Sequence, residues 1–144
     1  MTDASILSAC TTIEVPFHDV DSMRICWHGN YLKYFEFGRA ALQRVLDYDH
    51  DEMEASGYVW PIVECKLKFV RSARYGQRLE VEAALVEYEN RLKIEYRIRD
   101  SESGAILTKG YTTQVALNAS TGELQYVSPE ILFEKVARAE ANRA

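Results

Sequence analysis

Residues 30–46, NYLKYFEFGRAALQRVL, decide the fold, because their apolar positions repeat with the period of a helix. The spacings are four, three, four and three, which places one helical face on Tyr31, Phe35, Gly38, Leu42 and Val45. Asn30 is the predicted N-cap. Gly38 costs up to about 1 kcal/mol relative to alanine within a helix. We therefore predict a helix over 30–46 that approaches its packing partner closely at Gly38.

Strands are predicted on both sides of this helix. Residues 13–17 predict a short strand before it. After it, apolar and polar residues alternate with period two, which predicts half-buried antiparallel strands. These strands cover residues 63–69, 79–85, 92–98 and 105–117. A long helix followed by a four-stranded meander predicts an α+β fold in which the sheet wraps the helix. The uncovered face and edges of such a sheet favour an oligomer.

The remaining segments fit one domain over residues 1–144. Residues 49–56 predict a short helix closed by Gly57. Ser128, Pro129 and an acid in the first turn begin a C-terminal helix over 128–142. Residues 1–12 are predicted to be a flexible N-terminus. No linker, internal repeat or low-complexity segment divides the chain.

Composition excludes several classes of protein. The 144 residues are 47% hydrophobic and 27% charged, which is typical of a globular chain. A net charge of −5 argues against nucleic-acid binding. No segment approaches the roughly 20 apolar residues of a membrane span, and no signal peptide is recognisable. The three cysteines lack the spacing of a metal site or a disulfide framework. The sequence favours a cytoplasmic protein without a metal.

The segment before the helix, residues 18–34 (HDVDSMRICWHGNYLKY), concentrates groups that can do chemistry. A helix N-terminus presents unpaired N–H groups, which suit the oxyanion formed when a carbonyl is attacked. Asp19 or Asp21 can attack a carbonyl or take a proton from water. Because a carboxylate is a weak base, it needs an activated carbonyl such as a thioester. His28 can orient the attacking or leaving group. The residues alone also allow an Asx turn for the aspartates and a structural role for His28.

Aromatic and basic residues offer candidate binding surfaces. Five aromatic residues are predicted to wall a substrate pocket, with core packing as the alternative: Trp27, Tyr31, Phe35, Tyr58 and Trp60. Five basic residues gather in a short stretch: Lys66, Lys68, Arg71, Arg74 and Arg78. Such a run is often a solvated face, although arginine also binds phosphate through paired, charge-assisted hydrogen bonds.

Residues 19–36, DVDSMRICWHGNYLKYFE, resemble the 4-hydroxybenzoyl-CoA thioesterase family of hotdog-fold proteins. They look most like its small bacterial acyl-CoA thioesterases of the YbgC-like, Tol-Pal-associated branch. The usual pattern there is DxDxxG, two apolar residues, an aromatic residue and HxxY. Residues 70–77, VRSARYGQ, resemble the VxPARYGD-type turn of that family. The resemblance runs over about residues 13–127.

The resemblance implies a hotdog fold, dimers or tetramers, and hydrolysis of acyl thioesters without a metal or redox cofactor. It places Asp21 at the catalytic aspartate, acting as nucleophile or general base, and His28 beside it. Backbone N–H groups around His28 would form the oxyanion site, and Tyr31 would line it. Arg71 and Arg74 would contact the nucleotide of CoA, with the thioester meeting Asp21 of a different subunit.

Four positions depart from the family pattern, the first being Met23, which stands where a small residue is common. Arg24 stands at the motif glycine, which bears on the shape of the loop and the acyl preference. Ser72 and Gln77 replace the proline and the acid of the second segment, where a turn tolerates both. Because the aspartate, histidine and tyrosine of the motif are present, the catalytic assignment stands.

We therefore expect an acyl-CoA thioesterase. An acyl-carrier-protein thioesterase and a non-catalytic hotdog protein that binds acyl thioesters are the alternatives. A hotdog dehydratase is disfavoured, because none of His18, His28 and His50 is followed by glycine five residues on.

Overall fold

A computed structural model describes residues 5–143. The strands are β1 (Leu7–Glu14), β2 (Tyr58–Val59), β3 (Ile62–Phe69), β4 (Arg78–Glu87), β5 (Leu92–Asp100), β6 (Ile106–Gln114) and β7 (Leu117–Asn118). The α-helices are α1 (Asn30–Leu46), α2 (His50–Ser56) and α3 (Glu130–Arg143), and a 3-10 turn covers Phe17–Asp19. Across residues 5–143, no helix is long and apolar enough to cross a membrane.

Five strands form one antiparallel sheet in the order β1-β4-β5-β6-β3. The predicted four-stranded meander is therefore wrong for β3. Strands β4, β5 and β6 follow one another, but β3 lies at the far edge and pairs with β6. The reason is that β1 occupies the edge of β4 that a meander would give to β3.

Helix α1 covers residues 30–46, as predicted, and packs mainly on β1 and β4. The predicted close approach at Gly38 is made to β4. A Cβ atom at Gly38 would lie 2.9 Å from Val81 Cγ1 and 3.4 Å from Ala83 Cβ. The buried stripe ends on Leu46, whereas Val45 is exposed.

The N-terminal end of α1 differs from the prediction. Its N-cap is Gly29 and not Asn30. The Asn30 side chain instead donates a hydrogen bond to the backbone oxygen of Asp19, at 2.8 Å. Asn30 therefore closes the preceding loop onto the helix.

The prediction of a flexible N-terminus over 1–12 is wrong for residues 7–12. These residues belong to β1, and each pairs with a residue of β4. The cause is tertiary: β4 offers a full-length edge to a segment whose own alternation is weak. Residues 1–4 lie outside the described residues.

A long helix on one face of an antiparallel sheet, with a further helix at the C-terminus, is the predicted α+β arrangement. It is consistent with a hotdog fold. Helix α3 begins at Glu130, two residues after the predicted start.

Candidate active site

Asp19 fixes the loop that leads into α1. Its side chain is 3% exposed, and its carboxylate accepts hydrogen bonds from Lys33 Nζ and the Tyr34 hydroxyl, each at 2.7 Å. Burial by itself would raise the pKa of Asp19, but these hydrogen bonds lower it below its ordinary value. The backbone oxygen of Asp19 accepts from Trp27 N–H and from Asn30 Nδ2. One residue thus ties together both ends of the loop.

Asp21 lies in the same loop, half-exposed, and uses only one of its carboxylate oxygens. Oδ1 accepts from the backbone N–H groups of Met23 at 2.8 Å and Ile25 at 3.4 Å. Oδ2 accepts no hydrogen bond from any residue within 5–143. The Asx turn and the catalytic interpretation therefore apply to different oxygens of one carboxylate, and Oδ2 is available for chemistry.

Arg24 keeps the backbone conformation that the motif glycine would favour. Its φ is 63°, in the left-handed region. Its N–H donates to the backbone oxygen of Asp21 at 2.9 Å, and its oxygen accepts from Tyr75 N–H at 3.1 Å. Arg24 therefore takes a left-handed conformation that glycine adopts more readily, and its backbone joins Asp21 to the 70–77 turn.

Two backbone donors are free at the N-terminus of α1. The N–H groups of Asn30 and Tyr31 turn back to the oxygens of Trp27 and His28. Those of His28 and Gly29 find no acceptor among residues 5–143. Free N–H groups at a helix N-terminus favour negative charge. A carbonyl oxygen that gains charge beside them would be stabilised.

Backbone and side-chain hydrogen bonds join the second motif segment, residues 70–77, to the first, residues 19–36. Ala73 N–H donates to the Tyr31 hydroxyl at 2.9 Å, and Cys26 N–H donates to the oxygen of Ala73 at 2.8 Å. Ile25 and Arg74 form an isolated β-bridge. Tyr31 therefore positions the 70–77 turn, and its role in lining the catalytic site stays a prediction.

These elements enclose a cleft of about 590 Å³. It is lined by Asp21, Ile25, Cys26, Trp27, His28, Tyr31, Phe69, Val70, Arg71 and Ser72. The Phe69 ring lies 5.6 Å from that of Tyr31 and 6.1 Å from that of His28, between centroids. The walls are thus largely apolar, with one carboxylate and one arginine, as suits an acyl group on a charged carrier.

Three predicted binding residues lie elsewhere in the single chain. Phe35 is fully buried in the core and stacks on Tyr96 at 4.4 Å, so the core-packing alternative is correct for it. Tyr58 and Trp60 line a second cavity of about 680 Å³. One chain therefore does not bring the five predicted aromatic residues to one wall.

Arg71 lines the cleft together with Asp21 of the same chain. It also joins Arg74 in a neighbouring concavity of about 520 Å³ around the 71–77 turn. Asp21 and Arg71 therefore line one cleft of a single chain, and the expectation that the thioester meets Asp21 of a different subunit stays a prediction.

Phe69 and Val70 are site residues that the sequence did not single out. Phe69 precedes the motif segment VRSARYGQ directly, and this adjacency was the available signal. The contact between Phe69 and Tyr31 of α1 depends on the far-edge position of β3, which alternation does not encode. Across residues 5–143, no group of three or more His, Cys, Asp or Glu side chains is placed to hold a metal ion.

Residues 15–136 match the family model of the thioesterase-like superfamily. The chain belongs to this superfamily. The family match and its relatives confirm the prediction of a thioester hydrolase. They do not distinguish the 4-hydroxybenzoyl-CoA branch, which stays a prediction.

Two curated relatives and one solved structure illustrate the family. YneP of Bacillus subtilis, whose name marks it as a provisional acyl-CoA thioesterase, is 33% identical over 76 residues, 53% of this chain and 55% of that protein. The alignment thus spans about half the length of YneP. The betainyl-CoA thioesterase of Pseudomonas aeruginosa is 28% identical over 79% of this chain and 72% of that protein. The DHNA-CoA thioesterase of Staphylococcus aureus superposes with a TM-score of 0.79 at 23% identity, over 94% of this chain and 90% of that one.

Proposed function

We propose that the chain hydrolyses acyl-CoA thioesters to the free acid and CoA, with Asp21 as the catalytic carboxylate. One observation carries this proposal: the free Oδ2 of Asp21 and the unpaired N–H groups of His28 and Gly29 belong to the same loop at the N-terminus of α1. A nucleophile or base and an oxyanion site are the two parts that acyl transfer requires.

Two routes use these parts, and both balance. In the first, an Asp21 oxygen bonds to the carbonyl carbon, the C–S bond breaks, and CoA leaves as a thiolate that is then protonated. Water next hydrolyses the acyl–Asp21 anhydride and restores the carboxylate. In the second, Asp21 takes a proton from water while the water oxygen bonds to the carbonyl carbon; the C–S bond then breaks, and Asp21 returns the proton to the leaving thiolate. Negative charge gathers on the carbonyl oxygen in both routes, where the two N–H groups stabilise it.

His28 orients water or the thioester in this proposal. Its side chain is exposed at the cleft and makes no hydrogen bond within residues 5–143. The ring lies beside those of Trp27 and Phe69, at 5.0 and 6.1 Å between centroids. These rings limit its orientation while leaving its nitrogens available to substrate.

CoA, and not a carrier protein, is the proposed thiol. Arg71 and Arg74 share a concavity that adjoins the cleft, and neither side chain forms an ion pair within residues 5–143. Unpaired arginines suit the phosphates of CoA. The three relatives described above are all named for CoA thioesters.

Thiol release from a panel of aliphatic and aromatic acyl-CoAs tests the proposal. We expect turnover of at least one acyl-CoA and little turnover of the same acyl group on acyl-carrier protein. Faster release from the carrier protein would transfer the function to the first alternative. Binding of acyl-CoA without thiol release would support a non-catalytic hotdog protein instead.

A further inference from the structure

An exposed patch beside the cleft combines aromatic rings with arginines. The Phe17 and Tyr75 side chains are 70% and 52% exposed, and their rings meet edge to face at 5.6 Å between centroids. Tyr75 N–H donates to the backbone oxygen of Arg24 at 3.1 Å, which joins these rings to the first motif segment. Exposed aromatic rings beside arginines suit a nucleotide, because bases stack on aromatic rings and arginines bind phosphate.

The patch contains a concavity of about 460 Å³. It is lined by Met23, Arg24, Ile25, Arg74 and Tyr75. Ile25 also lines the cleft around Asp21, so the two spaces adjoin. Neither Arg24 nor Arg74 forms an ion pair among the residues that the structure describes. Two unpaired positive charges that share a concavity attract an anion.

The backbone of Arg24 is held in a conformation that L-residues disfavour. Its φ of 63° lies in the left-handed region, which glycine, the residue of the family pattern at this position, adopts readily. Such an outlier is a reason to look for a function. The Arg24 side chain lines the concavity, so arginine supplies there a positive charge that glycine would lack.

We propose that this patch binds the adenosine 3′-phosphate end of CoA. Arg24 and Arg74 bind the 3′-phosphate, and the adenine packs on the rings of Tyr75 and Phe17. The proposal rests on the proposed function, because CoA is there the thiol of the substrate. Arg24 then selects for CoA against thiols that carry no 3′-phosphate.

Charge distinguishes the sites of the two kinds of phosphate in CoA. The 3′-phosphate is a monoester with a charge of about −1.5 to −2 at neutral pH, whereas each phosphate of the diphosphate carries a single charge. The concavity of the 71–77 turn includes Asp100, which is ionised because a hydrogen bond from Gln77 lowers its pKa to about 2. Among residues 5–143, no acid lines the concavity of Arg24. The more highly charged phosphate therefore suits the patch, and the diphosphate suits Arg71.

Calorimetric titration with CoA and with 3′-dephospho-CoA tests the site and does not require hydrolysis. The two ligands differ only in the 3′-phosphate. We expect the wild type to bind CoA about tenfold more tightly. Arg24→Ala should remove most of this preference and leave the affinity for 3′-dephospho-CoA unchanged. Arg24→Lys keeps the charge without the paired hydrogen bonds, so it should keep part of the preference.

Tyr75→Ala tests the adenine contact. Loss of the ring should weaken the binding of CoA and of 3′-dephospho-CoA by about tenfold each. It should leave the binding of 4′-phosphopantetheine unchanged, because that ligand has no adenine. Tyr75→Phe keeps the ring and should bind all three ligands as the wild type does. Equal affinities of Tyr75→Ala and the wild type for CoA would overturn the adenine contact.

Arg44→Ala is the matched control for Arg24, because it removes an exposed arginine that lines neither concavity. It should keep the wild-type preference for CoA. Equal affinities of the wild type for CoA and 3′-dephospho-CoA would overturn the phosphate site. The same loss of preference in Arg24→Ala and Arg44→Ala would also overturn it.

The site and the proposed function fail separately. A chain that prefers CoA through Arg24 but hydrolyses no acyl-CoA would overturn the proposed function and leave the site intact. A chain that hydrolyses acyl-CoA and its 3′-dephospho analogue with the same KM would overturn the site and leave the proposed function intact.

Discussion

At the scale of single residues, two aspartates of one loop have opposite environments. Asp19 is buried and accepts hydrogen bonds from Lys33 and Tyr34. Asp21 is half-exposed and keeps one oxygen free. Asp19 therefore stabilises the loop, whereas Asp21 is available to substrate. The motif alone places Asp21 at the catalytic aspartate of the family, and that role stays a prediction.

Asp19 should make the stability of the fold sensitive to acid. Its folded pKa lies below the ordinary 3.8, so its contribution is present above the unfolded pKa and is lost as the pH falls through the folded value. Asp19→Asn should lower the melting temperature at neutral pH. Because the variant has no carboxylate at this position, it should also lose less additional stability than the wild type between about pH 5 and about pH 3, as measured by calorimetry. Asp21→Asn is the matched control. If the melting temperatures of Asp19→Asn and wild type fall in parallel as the pH is lowered, Asp19 does not have this role.

Arginine at position 24 should make the fold less stable than glycine would at the same position. Its φ of 63° costs an L-residue roughly 1–2 kcal/mol, partly offset because glycine has more freedom in the unfolded chain. We expect Arg24→Gly to raise the free energy of unfolding by roughly 0.5–1 kcal/mol in urea titration. Arg24→Ala removes the charge but keeps the Cβ atom, so it should give no such gain. Equal increases in the free energy of unfolding from both variants would show that the stabilisation comes from removing the positive charge and not from the backbone conformation.

At the scale of elements, the contact between α1 and β4 depends on Gly38. A Cβ atom there would lie 2.9 Å from Val81 Cγ1, and Val81 is fully buried and stiff at χ1. Gly38→Ala should therefore destabilise the fold by about 1–2 kcal/mol, despite the better helix propensity of alanine.

Val81→Ala supplies the matched test of that contact, because it removes the atom that the new methyl group would meet. The double variant should be more stable than the sum of the two single losses in urea denaturation. Strict additivity, or a gain in stability from Gly38→Ala alone, would show that the contact is not tight.

Periodicity predicted α1 but not what each of its residues does. Tyr31 and Phe35 share one buried stripe, yet only the first turn of the helix reaches the cleft, so Tyr31 lines it while Phe35 packs in the core. Strand β3 shows the same limit. Alternation predicts that a strand forms, whereas its partner depends on which edge β1 has left open.

At the scale of the whole molecule, the charge of the 71–77 turn contrasts with the net charge of −5. Arg74→Ala should raise KM for acyl-CoA while changing kcat little, because it acts on the phosphates and not on the carbonyl. The increase should shrink at high salt, which screens the attraction in the wild type. Arg44→Ala removes an exposed charge near the far end of α1 and should leave KM unchanged. Equal increases in KM from both variants would indicate that the overall charge of the protein, and not Arg74 in particular, attracts acyl-CoA.

The motif was sufficient to predict the thioesterase-like superfamily and the proximity of Asp21, His28 and Tyr31, because those residues are close in sequence. It could not place Trp60, which lies in a different cavity of the single chain. Long-range pairing within the sheet decides which distant residues share a wall.

Asp21→Asn tests the central claim most directly. The variant keeps the shape of the side chain and can still accept hydrogen bonds from Met23 and Ile25 N–H, but it loses the negative charge. We expect kcat for the best acyl-CoA to fall by roughly 100-fold or more, with an unchanged melting temperature and unchanged acyl-CoA binding. Asp51→Asn, at an exposed acid of α2, should behave as wild type. If Asp21→Asn retains more than about a tenth of the wild-type kcat, Asp21 is not the catalytic carboxylate.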